Sequence, residues 1–154
     1  VNLVFHEHEI RKPDFTKPMI PHTAIDSNIV VLSLFPGLQE SIIRHVLESP
    51  ELRSIVMRSF GSGNAPQTPW LARLLKEATY RGVLVVNISQ CLSGCVEMDR
   101  YNTGYQLHKS GVITGHDSTV EAAVTKLMCL QGRYQDVHII RTLMDRNIAG
   151  EISV

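Results

Sequence analysis

Apolar positions along the chain follow two rhythms. Short, nearly unbroken apolar runs occupy residues 29–35, 54–60 and 82–88, each closed by Gly, Pro or small polar residues. Runs of that length, rich in Val, Ile and Leu, predict strands buried on both faces. Elsewhere apolar residues recur every three or four positions. These sets are Ile42, Ile43, Val46 and Leu47; Leu71, Leu74, Leu75 and Ala78; Ala122, Ala123, Leu127 and Leu130; and Val137, Ile140, Leu143 and Met144. That period predicts amphipathic helices over 38–47, 70–78 and 136–146, and another opening at 117–121. For the last, Asp117 or Ser118 is the expected N-cap, with Glu121 in the first turn. A short helix over 101–109 and a short strand over 111–115 complete the pattern. Strands alternating with helices imply right-handed crossovers and a parallel sheet, so the expected fold is a three-layer α/β sandwich.

The first 28 residues read differently. Residues 1–10 predict a strand with polar side chains on one face, where His6 and His8 would lie together. A metal pair is one reading of those histidines, and solvated side chains on an edge strand are the commoner one. Residues 11–28 contain Pro13, Pro18 and Pro21 without periodicity, as in a connection between domains. The chain opens on Val1 and runs straight into this segment, which suggests a piece of a longer protein.

Composition narrows the class. With 154 residues, 44% hydrophobic and 19% charged, the chain can build one real core and is not disordered. Lys+Arg and Asp+Glu balance at 15 each, which argues against nucleic acid or a membrane surface as a charge-driven partner. No apolar run reaches the length of a membrane span, and no signal peptide is visible. Three cysteines are too few for a disulfide framework and suggest a reducing compartment. Cys91 and Cys95 are not followed by a second Cys/His pair at ligand spacing, so no metal site is expected.

In an open parallel sheet, ligands bind beyond the carboxyl ends of the strands. Segments 35–37, 61–64 and 89–95 emerge there and bring Ser62, Asn64, Ser89, Gln90 and Cys91, with Arg58 near its strand end. Arg58 would either hold a carboxylate bidentately or reach solvent. Cys91 would need a base such as His108 or His116 to act as a nucleophile, and an inert buried thiol is the simpler reading. A nucleotide site at the 61–64 turn is disfavoured. Pro66 stands where a dinucleotide fingerprint needs its third Gly, Asn87 stands where an acidic residue would end the next strand, and no Gly-Lys-Ser/Thr is present. No full catalytic set is present.

Taken together the motifs resemble the C-terminal domain of type I (cytoplasmic) L-asparaginases. They are Leu34-Phe35-Pro36-Gly37, Arg58-Ser59-Phe60-Gly61-Ser62-Gly63-Asn64-Ala65-Pro66, Val85-Val86-Asn87-Ile88-Ser89-Gln90-Cys91, Tyr101-Asn102-Thr103-Gly104, Gly111-Val112-Ile113, Thr119-Val120-Glu121-Ala122 and Gly150-Glu151, in order. The resemblance implies an α/β/α sandwich with a Rossmann/flavodoxin-like parallel sheet over 28–154. Residues 1–27 would then be the end of an N-terminal domain and the connection out of it. It implies hydrolysis of L-asparagine to L-aspartate and ammonia by a Thr nucleophile, without cofactor or metal. The nucleophile and its partners belong to the N-terminal domain, so no catalytic residue is expected in this chain. Asn64 and Tyr101 are the residues the resemblance assigns to a neighbouring subunit's substrate, in a homodimer or homotetramer. Arg58, Asn64, Ser89 and Cys91 match a regulatory asparagine site known in some members. A stand-alone amino-acid-binding or regulatory module of the same fold is the alternative.

Overall fold

The computed structural model describes residues 3–5, 7, 10, 12–16, 18–98 and 102–153; His6, His8 and Tyr101 lie outside them. Four parallel strands, β1 (Ile29–Ser33), β2 (Ser54–Ser59), β3 (Leu84–Ser89) and β4 (Ile113–Thr114), stand side by side in chain order. The helices α1 (Glu40–Leu47), α2 (Pro69–Tyr80), α3 (Asn102–Lys109), α4 (Val120–Arg133) and α5 (Val137–Met144) alternate with and come after them.

Side-chain alternation along the strands splits the core in two. Ile55, Met57, Val83 and Val85 pack with Leu71, Leu74 and Leu75 of α2, Ile43 and Leu47 of α1, and Leu107 of α3. Val56, Leu84, Val86 and Ile88 pack on the other face with Ala123, Leu127 and Leu130 of α4 and Ile140 and Met144 of α5. The expected three-layer parallel sandwich is therefore the observed one.

Four local expectations are corrected. Leu3, Val4 and Phe5 form no strand and are exposed, because no strand among the described residues offers them a ladder. β1 is not buried on both faces: it is an edge strand, and Val31 is 44% exposed. Ile42 turns outward at 55% exposure while Ile43 and Leu47 carry the packing of α1. The N-cap of α4 is Thr119, whose hydroxyl accepts from the Ala122 N–H at 3.2 Å. Asp117 instead accepts from the Ser153 N–H at 2.9 Å, a contact with the chain's end that local sequence cannot show.

Two polar side chains on α4 are buried where periodicity predicts none: Lys126 and Gln131. Gln131 accepts from the Ser54 hydroxyl at 3.0 Å and so ties α4 to the start of β2. Lys126 donates to the carbonyls of Met144 (3.0 Å) and Arg146 (2.5 Å) and pairs with Glu151 at 2.7 Å. Glu151 also accepts from the backbone N–H groups of Ile148 (2.9 Å) and Ala149 (2.5 Å). Burial pushes its carboxyl upward, but the Lys126 hydrogen bond and these N–H groups outweigh that and hold it at about 2 instead of 4.5. At the opposite end, the 18–27 connection crosses α4 over Gly132. A Cβ there would stand 2.3 Å from the Ala24 carbonyl oxygen. The connection is fixed by Asp26, which donates its N–H to Met128 O at 3.1 Å and pairs with Arg53 at 2.7 Å.

Both of these contacts on α4 carry an expected outcome. Because the Glu151 carboxyl is depressed in the folded chain, its contribution is complete above about pH 4.5 and is lost as pH falls toward 2. Urea titrations at stepped pH should show a loss of about 3 kcal/mol over that window, at 1.36 kcal/mol per tenfold in ionisation. That loss should be absent in Glu151→Gln. Gly132→Ala, which in an unobstructed helix would stabilise by roughly 1 kcal/mol, should instead destabilise by about 1–3 kcal/mol through overpacking against Ala24. Thermal denaturation reads the sign.

Candidate functional site at the carboxyl ends of the strands

Polar residues are scarce inside the strands and gather where the strands end. The register aligns Ser33 with Arg58, Arg58 with Ile88, Ser59 with Ser89, Met57 with Asn87, and Asn87 with Thr114. Ser33, Arg58, Ser59, Asn87, Ser89 and Thr114 thus lie in the last rows of the sheet, facing the three loops singled out in the sequence.

The 61–64 turn is held tightly. Phe60 and Asn64 exchange backbone hydrogen bonds at 2.8 Å each, closing the loop on itself. Gly63 sits at φ +107°, and a Cβ there would lie 2.8 Å from Val96 Cγ1 and 3.3 Å from Asn87 Nδ2. Only glycine fits both that backbone and that space. Asn87, fully buried in β3, donates its Nδ2 to the Gly63 carbonyl at 3.2 Å, while its Oδ1 has no hydrogen-bond partner among the described residues.

Gln90 and Ser89 fasten the other loops to this turn. Gln90 Nε2 donates to the carbonyls of Leu34 (2.6 Å) and Arg58 (2.9 Å), joining the ends of the first three strands. The Ser89 hydroxyl donates to Gly61 O at 2.6 Å and accepts from the Cys91 N–H at 2.9 Å. Ser89, Cys91 and the turn bearing Asn64 are therefore one connected unit. Tyr101, the remaining residue that the resemblance assigned to substrate, falls outside the described residues.

Arg58 belongs to the same strand ends but leaves the sheet on the opposite face from Ser89, since Arg58 pairs with Ile88 in register. Its side chain is half-buried and makes one long hydrogen bond, from Nη1 to the Ser33 hydroxyl at 3.4 Å. Among the described residues its buried Nε has no partner, and no carboxylate pairs with the guanidinium within 4.0 Å. It does not simply reach solvent. Across from it lies the first turn of α4. There Glu121 is held below its ordinary carboxylate range by its own backbone N–H and the Thr119 hydroxyl, with a further contribution from the Arg58 charge. Sequence marked Glu121 only as a first-turn acid of its helix and Ser33 not at all, because register and crossover geometry, not spacing, bring them to Arg58.

The thiol reading also resolves. Cys91 is exposed rather than buried, and neither candidate base meets it. His116 gives its Nε2 to Asp145 at 2.8 Å, and His108 and His116 both line a cleft beside β4 to which Cys91 does not contribute. The Cys95 thiol is pushed up by burial and by the Asp117 and Glu97 charges, which disfavours a thiolate. Among the described residues no group of three or more His, Cys, Asp or Glu side chains could hold a metal ion. Nor is any helix among them long and apolar enough to cross a membrane.

This fold recurs in known proteins. Residues 28–144 match the family profile described as Glutaminase/Asparaginase C-terminal domain. L-asparaginase 1 of Escherichia coli (strain K12) is 41% identical over 135 residues, covering 88% of this chain and 40% of that protein. The 60 kDa lysophospholipase of Homo sapiens is 33% identical over 153 residues, covering 99% of this chain and 26% of that protein. The crystal structure of L-asparaginase I from Vibrio cholerae O1 biovar eltor str. N16961 superposes with a TM-score of 0.81 at 38% identity, over 86% of this chain and 40% of that one. The chain thus spans about 40% of the length of these two bacterial L-asparaginases and 26% of the lysophospholipase. Matched by one profile from the first strand to the last helix, and sharing fold and sequence with longer members, the chain belongs to the glutaminase/asparaginase C-terminal domain family.

Proposed function

We propose that this chain is the C-terminal part of an L-asparaginase, a cytoplasmic amidohydrolase that converts L-asparagine to L-aspartate and ammonia. Its nucleophile is supplied by a preceding domain, and residues 1–27 are the end of that domain and its connection. The chain alone does not turn substrate over, because positioning groups without a nucleophile give little rate. In the homo-oligomer, a dimer or a tetramer, Asn64 on its rigid turn, with Tyr101, reaches the substrate of a neighbouring subunit. The group around Arg58, Asn64, Ser89 and Cys91 takes asparagine as an effector. No cofactor takes part.

The observation that carries the binding part is Arg58. A half-buried guanidinium with an unpartnered Nε and a single 3.4 Å hydrogen bond is under-satisfied. An amino acid's α-carboxylate matches its fork bidentately. Glu121, kept ionised in the first turn of α4, offers an opposite charge for the α-ammonium.

Isothermal titration of the purified 154-residue chain with L-asparagine, with ammonia followed in parallel, should give saturable heat and no ammonia. Arg58→Ala should weaken binding by roughly ten- to a hundredfold, the worth of a charge-assisted hydrogen bond. Ammonia release by the chain alone would overturn the missing-nucleophile reading. Full binding in Arg58→Ala would remove the effector site from this strand end.

A further inference from the structure

A cleft of about 790 Å³ lies along the edge of β4, between the end of α3 and the last turns of α5. None of Arg58, Asn64, Ser89 and Cys91 lines it, and its volume lies in the range of small-molecule sites. Val112 and Ile113 give it an apolar wall, while Arg141 and Arg146 line it from α5 and the residues just after it.

We propose that this cleft binds a small organic anion, with Arg141 as its anchor. The Arg141 guanidinium is half-buried and spends one N–H, from Nη2, on the Gly111 carbonyl at 2.6 Å. No carboxylate among the described residues pairs with it within 4.0 Å. Burial alone shifts its ionisation, and it does so against the charge. A partly desolvated cation with four further N–H donors and no counter-ion is costly unless a ligand supplies one. Arg146 adds a second guanidinium, likewise without a carboxylate partner among the described residues. The acids at the cleft are Glu97 and Asp145, and Asp145 is already engaged by His116 Nε2 at 2.8 Å. That contact also fixes His116, the one non-glycine residue with positive φ (+54°) among the described residues. Backbone strain of this kind persists where the surroundings over-determine it, often at binding sites. The hydrogen bond from Arg141 to Gly111 leaves the fork oriented, so an oxyanion meets donors already in place.

The test is a titration of the ¹⁵N-labelled 154-residue chain with succinate and, separately, with inorganic phosphate, at ionic strength held constant with sodium chloride. Saturable shifts of the Arg141 Nε–H and of the Gly111, His116 and Thr142 amides are expected. Arg141→Gln should raise the apparent Kd at least about tenfold, and Arg73→Gln on α2 should leave it unchanged. Saturation by succinate alone assigns a carboxylate ligand, by phosphate alone a phosphorylated one, and by both an oxyanion site of either source. Shifts that stay linear, or that persist unchanged in Arg141→Gln, would overturn the proposal. If Arg141→Gln loses its dispersed spectrum, Arg141→Lys decides: it keeps the charge and loses the fork, so undiminished affinity would refute Arg141 as a bidentate anchor.

Discussion

β2 and β3 are hydrogen-bonded to a strand on either side and covered by helices on both faces, and this double burial governs the rest of the structure. A polar side chain in the middle of such a strand would lose its water without gaining a partner. Ile55, Val56 and Met57 in one strand, and Leu84, Val85 and Val86 in the other, meet that condition. Polar groups are tolerated where loops can answer them. At the carboxyl ends Gln90 bridges the carbonyls of Leu34 and Arg58, Asn87 holds Gly63, and Ser89 holds Gly61. The candidate site stands where the core's demand for apolarity ends, on loops whose backbone groups are already spoken for.

Helix α4 is the second organising element. Its early turns face Arg58 through Glu121, its middle holds the chain's end through Lys126 and Glu151, and its last turn carries the connection over Gly132. One helix therefore touches the strand-end group, the 18–27 connection and the residues around Glu151. The buried Lys126–Glu151 pair works because each partner has further backbone contacts: two carbonyls on Lys126, two N–H groups on Glu151. Without them the desolvation of two charges would exceed their mutual attraction.

Two relatives carry different names, L-asparaginase 1 and 60 kDa lysophospholipase, while sharing this domain with the chain at 41% and 33% identity. A fold fixes strand ends and loops, while chemistry resides in particular side chains, so one scaffold can serve different reactions. At the strand ends of this chain stand a tightly held glycine turn bearing Asn64 and the under-satisfied Arg58 beside the first turn of a helix.

The order of elements was legible in the sequence because it rests on local periodicity. Two-sided burial writes apolar runs at 54–60 and 82–88, and one-sided burial writes Leu71, Leu74, Leu75 and Ala78 along α2. The ordered motifs likewise carried the family, since they record loop chemistry residue by residue. Other features depended on contacts between distant segments. Val31 lies at an edge because no strand among the described residues flanks β1, and Asp117 serves Ser153 while Thr119 takes the cap of α4. Lys126 and Gln131 look like solvent positions until the chain's end and β2 close over them. Arg58, Ser33 and Glu121 share no spacing signal; parallel register and a crossover helix bring them together. Local sequence determined what each segment is, because backbone propensity and amphipathic period act within a few residues. Tertiary structure alone decided which polar groups lack partners, because that depends on what every other segment has already satisfied.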